Sequence, residues 1–127
     1  MVRVLVVDDD TTILRLLQVN LEMEGHEVHT ADDGRGALER VRDVEPEVVL
    51  LDVMMPHVDG WQVCERLRED HAFDELPVIF LSARAQQADI ARGWHAGADA
   101  YITKPFDPLE LVGLVERLAR DGRPARD

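Results

Sequence analysis

Acidic side chains follow two short apolar runs of the sequence. Asp8, Asp9 and Asp10 come directly after the first run, and Asp52 comes directly after the second. One aspartate in such a place usually caps the helix that follows, a role that Asp10 can fill. Asp8 and Asp9 exceed what one cap requires, and Asp52 lies well before the next helical pattern. Asp8, Asp9 and Asp52 are therefore candidates for chemistry.

A hydroxyl group and an ammonium group follow two later apolar segments. Ser82 follows Val78–Leu81, and Lys104 follows Ala100–Thr103. In an open parallel sheet, ligands bind beyond the carboxyl ends of the strands, so residues that follow strands share one rim. Aspartates, a hydroxyl and a lysine together suit the transfer of a phosphoryl group to a carboxylate. Asp52 would be the nucleophile, and Lys104 and Ser82 would bind phosphoryl oxygens.

The mutual repulsion of these carboxylates limits how they can be arranged. Two unit charges 4 Å apart repel by about 4 kcal/mol at an effective dielectric of 20. Three converging carboxylates would cost several times as much, against a total stability of roughly 5–15 kcal/mol. Lys104 offsets only one charge, so the carboxylates must take up protons, spread apart or bind a cation. Mg²⁺ suits the site because it takes one or two carboxylates, keeps waters and leaves room for phosphate.

The apolar pattern predicts five strands, each followed by a helix. The predicted strands are Val4–Val7, Glu27–Thr30, Val48–Leu51, Val78–Leu81 and Ala100–Thr103. The predicted helices are Thr11–Glu24, Asp33–Asp43, Gly60–Glu69, Gln86–Ala96 and a last one that Asp107 caps and Pro108 begins. This alternation predicts an α/β fold, a doubly wound parallel sheet with helices on both faces. Trp94 lies one turn after Ile90, which predicts that it packs in the core.

Length and composition restrict the class of protein. The chain has 127 residues, which predicts one domain, and 46 % are hydrophobic, which excludes intrinsic disorder. The net charge of −12 argues against direct binding of nucleic acid or of an anionic membrane surface. A single cysteine fits a reducing compartment, and no apolar run approaches the length of about 18 residues that a membrane helix needs. These features favour a cytoplasmic protein.

The motifs together resemble one known family. They are Val6-Val7-Asp8-Asp9-Asp10, Leu50-Leu51-Asp52-Val53-Met54-Met55-Pro56, Asp59-Gly60, Leu81-Ser82-Ala83 and Gly97-Ala98-Asp99-Ala100-Tyr101-Ile102-Thr103-Lys104-Pro105-Phe106. In this order they resemble the receiver domain of two-component response regulators, similar to the chemotaxis receiver. The resemblance implies a flavodoxin-like fold with the strand order 2-1-3-4-5. It predicts a receiver domain over residues 1–120 and leaves 121–127 as a tail or a linker stub.

The resemblance also implies a role for each site residue. Asp52 would be the phosphoacceptor, and Lys104 would pair with the phosphoryl group and precede a cis peptide bond to Pro105. Ser82 and Tyr101 would be the switch pair, the hydroxyl moving toward the phosphate and the ring turning inward. Mg²⁺ would be bound by the following groups: the carboxylates of Asp9 and Asp52, the backbone carbonyl of Met54 and, through water, Asp8.

The partners implied are those of a signalling protein. Such receivers take the phosphoryl group from the phosphohistidine of a sensor histidine kinase or a phosphotransfer protein. They signal through the face formed by the fourth helix, fifth strand and fifth helix, which would contact a downstream target or an output domain outside this chain. The same face could form a homodimer after phosphorylation. The chain would catalyse only its own phosphorylation and dephosphorylation, so it would not be an enzyme acting on other substrates.

Two other functions remain as alternatives. A Mg²⁺-dependent phosphohydrolase would use similar aspartates, but it commonly needs a second acid near the nucleophile, and Met54 lies two residues after Asp52. A phosphorylation-independent interaction module would not need Asp52 or Lys104.

The thioether of Met54 cannot orient an attacking water as an amide could. Together with the long cationic side chain of Arg84, it predicts a long-lived phosphorylated state.

Overall fold

Five strands and five helices alternate along the chain in the computed structural model, which describes residues 1–124. The strands are β1 (Arg3–Val7), β2 (Glu27–Ala31), β3 (Val48–Asp52), β4 (Val78–Ser82) and β5 (Ala100–Thr103). The helices are α1 (Thr11–Met23), α2 (Gly34–Val44), α3 (Gly60–Glu69), α4 (Gln87–Ala96) and α5 (Pro108–Asp121). All paired strands are parallel, in the order β2-β1-β3-β4-β5, which confirms the predicted fold class and strand order.

The sheet is buried on both faces, which explains why its strands are continuous apolar runs. Along β1, Leu5 and Val7 contact one core cluster, and Val4 and Val6 contact the other. The first cluster includes side chains of α2, α3 and α4, and the second includes those of α1 and α5. Within residues 1–124, no helix has both the length and the apolar composition needed to cross a membrane.

Aspartates cap four of the five helices. Asp10 accepts hydrogen bonds from the backbone N–H groups of Thr12 and Ile13, so its predicted role as the α1 cap is confirmed. Asp33 is the cap of α2, although the sequence predicts it to be the first helical residue. Because Asp10 satisfies the first turn of α1, that helix does not require Asp8 or Asp9.

Helix α4 faces the core with small residues, and the prediction that Trp94 packs there is wrong. Trp94 is 43 % exposed, whereas Gly93 and Ala96 are buried. A Cβ atom on Gly93 would lie 2.9 Å from the ring of Tyr101 and 3.0 Å from that of Phe80, so the helix approaches β4 and β5 closely at this residue. The turn of helix that contains Trp94 therefore directs this side chain away from the sheet.

A buried carboxylate ties together several segments at the amino ends of the strands. Asp99 accepts hydrogen bonds from Arg68 of α3 at 3.1 Å, from Arg123 after α5 at 2.9 Å and from the Val78 backbone N–H at 2.9 Å. Two guanidinium groups and one amide therefore compensate a side chain with no exposed surface. Arg123 belongs to the segment predicted as a tail, of which residues 125–127 lie outside the described part of the chain.

The close approach of Gly60 to β3 generates a prediction about stability. A Cβ atom there would collide with the Asp52 carbonyl oxygen and lie 2.8 Å from Val53 Cα. We expect Gly60→Ala to lower the free energy of unfolding by about 1–3 kcal/mol, measured by urea denaturation. Gly113→Ala is the control, because open space surrounds that position of α5, and alanine there should raise stability by up to about 1 kcal/mol. Equal stability of Gly60→Ala and the wild type would contradict this account of the loop.

Candidate functional site

The carboxyl ends of adjacent strands bring the predicted site residues to one rim. Asp8 follows β1, Asp52 ends β3, Ser82 ends β4 and Lys104 follows β5. The backbone N–H of Lys104 donates to the Ser82 carbonyl at 2.8 Å, which continues the pairing of β4 and β5 to the rim. Because all the strands are parallel, side chains that are distant in the sequence converge there.

Three carboxylates meet at this rim. One oxygen from each of Asp8, Asp9 and Asp52 lies within 4.8 Å of the others. Asp8 and Asp52 are buried, whereas Asp9 is exposed, so the group has one side open to solvent. Convergence of the carboxylates, which the sequence predicts, is therefore present in the fold.

Lys104 places a positive charge beside two of these carboxylates. Its Nζ lies 2.9 Å from Asp8 Oδ2 and 3.7 Å from Asp52 Oδ1. Burial by itself lowers the pKa of Lys104, but the hydrogen bond to Asp8 and the charges of Asp52 and Asp8 outweigh burial, and the net pKa is raised. The Lys104–Pro105 peptide bond is cis, as the resemblance implies. Lys104 thus stays charged and contacts both buried carboxylates.

The surroundings of Asp52 destabilise its ionised form. Burial first, and then the charge of Asp8, raises the pKa of Asp52 to about 7. The charge of Lys104 and a hydrogen bond from the Met54 backbone N–H, 3.3 Å from Oδ1, act in the opposite direction. A cation beside Asp52 would favour the carboxylate form, the form that a nucleophile requires.

The residues present fit a hard divalent cation. Carboxylate oxygens are the ligands that Mg²⁺ prefers, and the open side at Asp9 leaves room for retained waters. The Met54 backbone lies beside Asp52, as their hydrogen bond shows, so its carbonyl is on the loop that borders the group. Asp8, Asp9 and Asp52 thus form an acidic pocket of the kind that the resemblance to receiver domains implies for Mg²⁺.

The two predicted switch residues both bind the backbone of Arg84. Ser82 is fully buried, and its Oγ accepts a hydrogen bond from the Arg84 N–H at 3.1 Å. The Tyr101 hydroxyl donates to the Arg84 carbonyl at 2.7 Å, and its half-buried ring contacts Phe80 edge-on with a centroid separation of 6.1 Å. The loop between β4 and α4 therefore connects the two side chains.

The Arg84 side chain lies beside the loop between β3 and α3 and beside helices α3 and α4. Its Nη1 donates to Met54 Sδ at 3.4 Å, its Nε lies 2.9 Å from Asp89 Oδ1, and its guanidinium lies 5.4 Å from the centre of the Trp61 ring. The sequence indicates Arg84 and Met54 as neighbours of the site but not Asp89 or Trp61. Asp89 carries only the signal of an acid in the first turn of a helix, which many helices share.

The raised pKa of Asp52 predicts how stability depends on pH. Between its ordinary value near 4 and its folded value of about 7, the folded chain binds more protons than the unfolded chain. The free energy of unfolding of the metal-free protein should therefore fall as pH rises through that range. Asp52→Asn should remove this dependence and raise Tm at pH 8, and Mg²⁺ should raise Tm more for the wild type than for this variant.

Scanning calorimetry from pH 4 to pH 8 with and without Mg²⁺ measures both effects. Asp43→Asn, which neutralises an exposed aspartate of α2, controls for the change in net charge. A metal-free Asp52→Asn protein with a lower Tm than the wild type at pH 8 would show that the carboxylates do not repel one another as described.

Comparison with known proteins agrees with this geometry. The sequence profile of the response regulator receiver domain matches residues 4–116. A DNA-binding dual master transcriptional regulator, RpaA of Synechocystis sp., is 42 % identical over 120 residues, which cover 94 % of this chain and 50 % of RpaA. The alkaline phosphatase synthesis transcriptional regulatory protein PhoP of Bacillus subtilis is 42 % identical over 118 residues, 93 % of this chain and 48 % of PhoP. The chain thus spans about half the length of these curated relatives.

Solved structures resemble the whole described fold. A response regulator from Chloroflexus aurantiacus superposes with a TM-score of 0.89 and 34 % sequence identity, covering 94 % of this chain and 98 % of that one. The motifs, the strand order and the profile match over most of the sequence lead to one assignment. This chain belongs to the response regulator receiver domain family, whose members serve in two-component signal transduction.

Proposed function

We propose that this protein is a phosphorylation-dependent switch that accepts a phosphoryl group on Asp52. The observation that carries the proposal is the position of this carboxylate, which ends β3 with the Lys104 ammonium 3.7 Å away and two further carboxylates beside it. A lysine and an acidic group beside one carboxylate suit phosphoryl transfer, in which the transferred group carries its negative charge on peripheral oxygens.

The transfer follows from the residues at the rim. A carboxylate oxygen of Asp52 attacks the phosphorus of a phosphohistidine, the P–N bond breaks, and the imidazole nitrogen leaves with the electron pair. The product is a mixed anhydride of the aspartate and phosphate. Lys104 holds one phosphoryl oxygen, and Ser82 Oγ gives up its bond from the Arg84 N–H to donate to another. The same attack on a small acyl phosphate breaks a P–O bond.

Mg²⁺ is the proposed cofactor. It would be held by Asp9, Asp52 and the Met54 carbonyl, with Asp8 acting through water, and when bound it would neutralise charge on the carboxylates and the incoming phosphoryl group. Asp8 also orients the loop, because its Oδ1 accepts a hydrogen bond from the Asp10 N–H at 2.9 Å. Asp8 thus fixes both that turn and Lys104, which it contacts at 2.9 Å.

The proposed output passes through Tyr101 and the face formed by α4, β5 and α5. Movement of Ser82 Oγ toward the phosphoryl group would break its bond to the Arg84 backbone, which also holds the Tyr101 hydroxyl. Movement of that backbone would shift the Tyr101 ring, which packs against Phe80, and would change the exposed face that includes Trp94. The proposed partners are a sensor histidine kinase or a phosphotransfer protein on the input side, and a downstream protein, an output domain or a second copy of the chain on the output side.

The proposal also covers substrates, nucleic acid and location, each on a separate observation. Turnover of external phosphate esters is not part of the proposed function, because Met54 offers no acid where a phosphohydrolase commonly has one. The relatives RpaA and PhoP are transcriptional regulators, but the net charge of −12 argues against DNA binding through this chain. The proposed location is the cytoplasm, on the argument from its single cysteine.

Intact-mass spectrometry after incubation with acetyl phosphate and Mg²⁺ tests the phosphoacceptor. We expect one added phosphoryl group in the wild type, removed by hydroxylamine as expected for an acyl phosphate, and none in Asp52→Ala. Asp43→Ala, which changes an exposed aspartate of α2, should be labelled like the wild type. An unlabelled wild type would favour an interaction module independent of phosphorylation, and steady hydrolysis of acetyl phosphate without a labelled intermediate would favour a phosphohydrolase.

The lifetime of the phosphorylated form is predicted from the side chain at position 54. Met54 is 51 % exposed at the rim and cannot orient an attacking water, whereas an amide can. We expect Met54→Asn to increase the rate of autodephosphorylation severalfold, measured from the decay of the phosphorylated mass. Met23→Asn on α1, also an exposed methionine, should leave the rate unchanged. Equal rates for Met54→Asn and the wild type would contradict the prediction.

A further inference from the structure

Arg84 lies between a carboxylate of α4 and the proposed phosphorylation site. Its Nε pairs with Asp89 Oδ1 at 2.9 Å, and its Nη1 contacts Met54 Sδ at 3.4 Å. Met54 in turn donates its backbone N–H to Asp52. The guanidinium is thus held at the border of the site by a carboxylate that is not part of it. Asp89 is buried, and its side chain is only 10 % exposed.

The charge balance of the rim changes on phosphorylation. The three carboxylates and the Lys104 ammonium carry a net charge of about −2, which one divalent cation neutralises. A phosphoryl group on Asp52 replaces its single negative charge by about two. The phosphorylated rim therefore has a negative charge without a counter-ion, and Arg84 is a cation that already borders it.

The buried charge of Asp89 is stabilised by the same guanidinium of Arg84. If Arg84 turned toward the phosphoryl group, Asp89 would keep a buried negative charge without its 2.9 Å partner, which is costly for a carboxylate so little exposed. The Asp89 carboxylate and a phosphoryl group on Asp52 therefore cannot both form a close ion pair with Arg84.

We propose that Asp89 and the phosphoryl group on Asp52 compete for Arg84, so that Asp89 is a positioning residue that weakens phosphorylation and ties α4 to the unphosphorylated site. This inference rests on the proposed phosphorylation of Asp52. Arg84 pairs with Asp89 before phosphorylation and with a phosphoryl oxygen afterwards. The exchange releases the first turn of α4. It also moves Arg84, whose backbone carbonyl accepts the hydrogen bond from the Tyr101 hydroxyl. The exchange of partners by Arg84 and the movement of Ser82 and Tyr101 thereby act on the same face, formed by α4, β5 and α5.

Binding of beryllofluoride with Mg²⁺ tests the competition without a chemical step. Beryllofluoride bound to an aspartate mimics the phosphoryl group in shape and charge, and fluorine NMR measures the bound fraction. We expect Asp89→Asn to bind about two- to fivefold more tightly than the wild type, the size expected when a partly exposed charge pair is removed. Arg84→Gln should bind more weakly by a similar factor. In an Arg84→Gln background, Asp89→Asn should have no further effect, because nothing remains to compete for.

Two controls make the result decisive. Asp43→Asn removes the same charge from the exposed surface of α2 and should bind like the wild type. Asp89→Ser supplies a second neutral variant, with a side chain accepted in the first turn of a helix, for use if Asp89→Asn does not fold. Unchanged or weaker binding by the neutral variants overturns the inference, and so does an equal gain in the presence and absence of Arg84.

The failure of the proposed function would look different. A wild type that binds no beryllofluoride and acquires no phosphoryl group from acetyl phosphate overturns the phosphorylation of Asp52, and the competition with it. A wild type that binds beryllofluoride normally, with an affinity that Asp89→Asn does not change, overturns only the competition.

Discussion

Repulsion between carboxylates held at one rim of the sheet is the constraint on which the rest of the site depends. Asp8 and Asp52 are both buried there, and Lys104 contacts both but balances only one of them. Burial and this excess of negative charge together raise the pKa of Asp52, and the same excess makes the rim suitable for a hard cation. Folding stability is therefore given up at the place where the chemistry is proposed.

The fold can hold such a site because its sheet leaves the strand ends little freedom. Core clusters cover both faces of the sheet. Each of four rim residues is the last residue of a strand or the first after it: Asp8, Asp52, Ser82 and Lys104. Strand register consequently sets the separations at the rim. The β3–α3 loop is held in place by Gly60, whose backbone N–H donates to the Val53 carbonyl at 2.9 Å. That contact keeps the start of α3 against the end of β3.

Much of this arrangement could be predicted from the sequence because the signals are local. Continuous apolar runs mark strands buried on both faces, and the residues after them must share a rim, so the convergence of Asp8, Asp9 and Asp52 followed from topology alone. The roles of these residues in metal binding and phosphoryl transfer stay predictions. The sequence did not indicate the contacts of Asp89 with Arg84, because they depend on how one loop and one helix direct their side chains. The prediction for Trp94 failed because the helix face that it shares with Ile90 is not the buried face of α4, which carries Asp89, Gly93 and Ala96.

The two tryptophans of the chain occupy contrasting surroundings on either side of this region. Trp61 is 4 % exposed at the start of α3, with the guanidinium groups of Arg84 and Arg92 at 5.4 and 4.1 Å from its ring centre, whereas Trp94 is 43 % exposed on α4. An indole in a dry setting emits at shorter wavelengths than one in contact with water. The intrinsic emission of the unlabelled protein should therefore combine a shorter-wavelength component from Trp61 with a longer-wavelength component from Trp94.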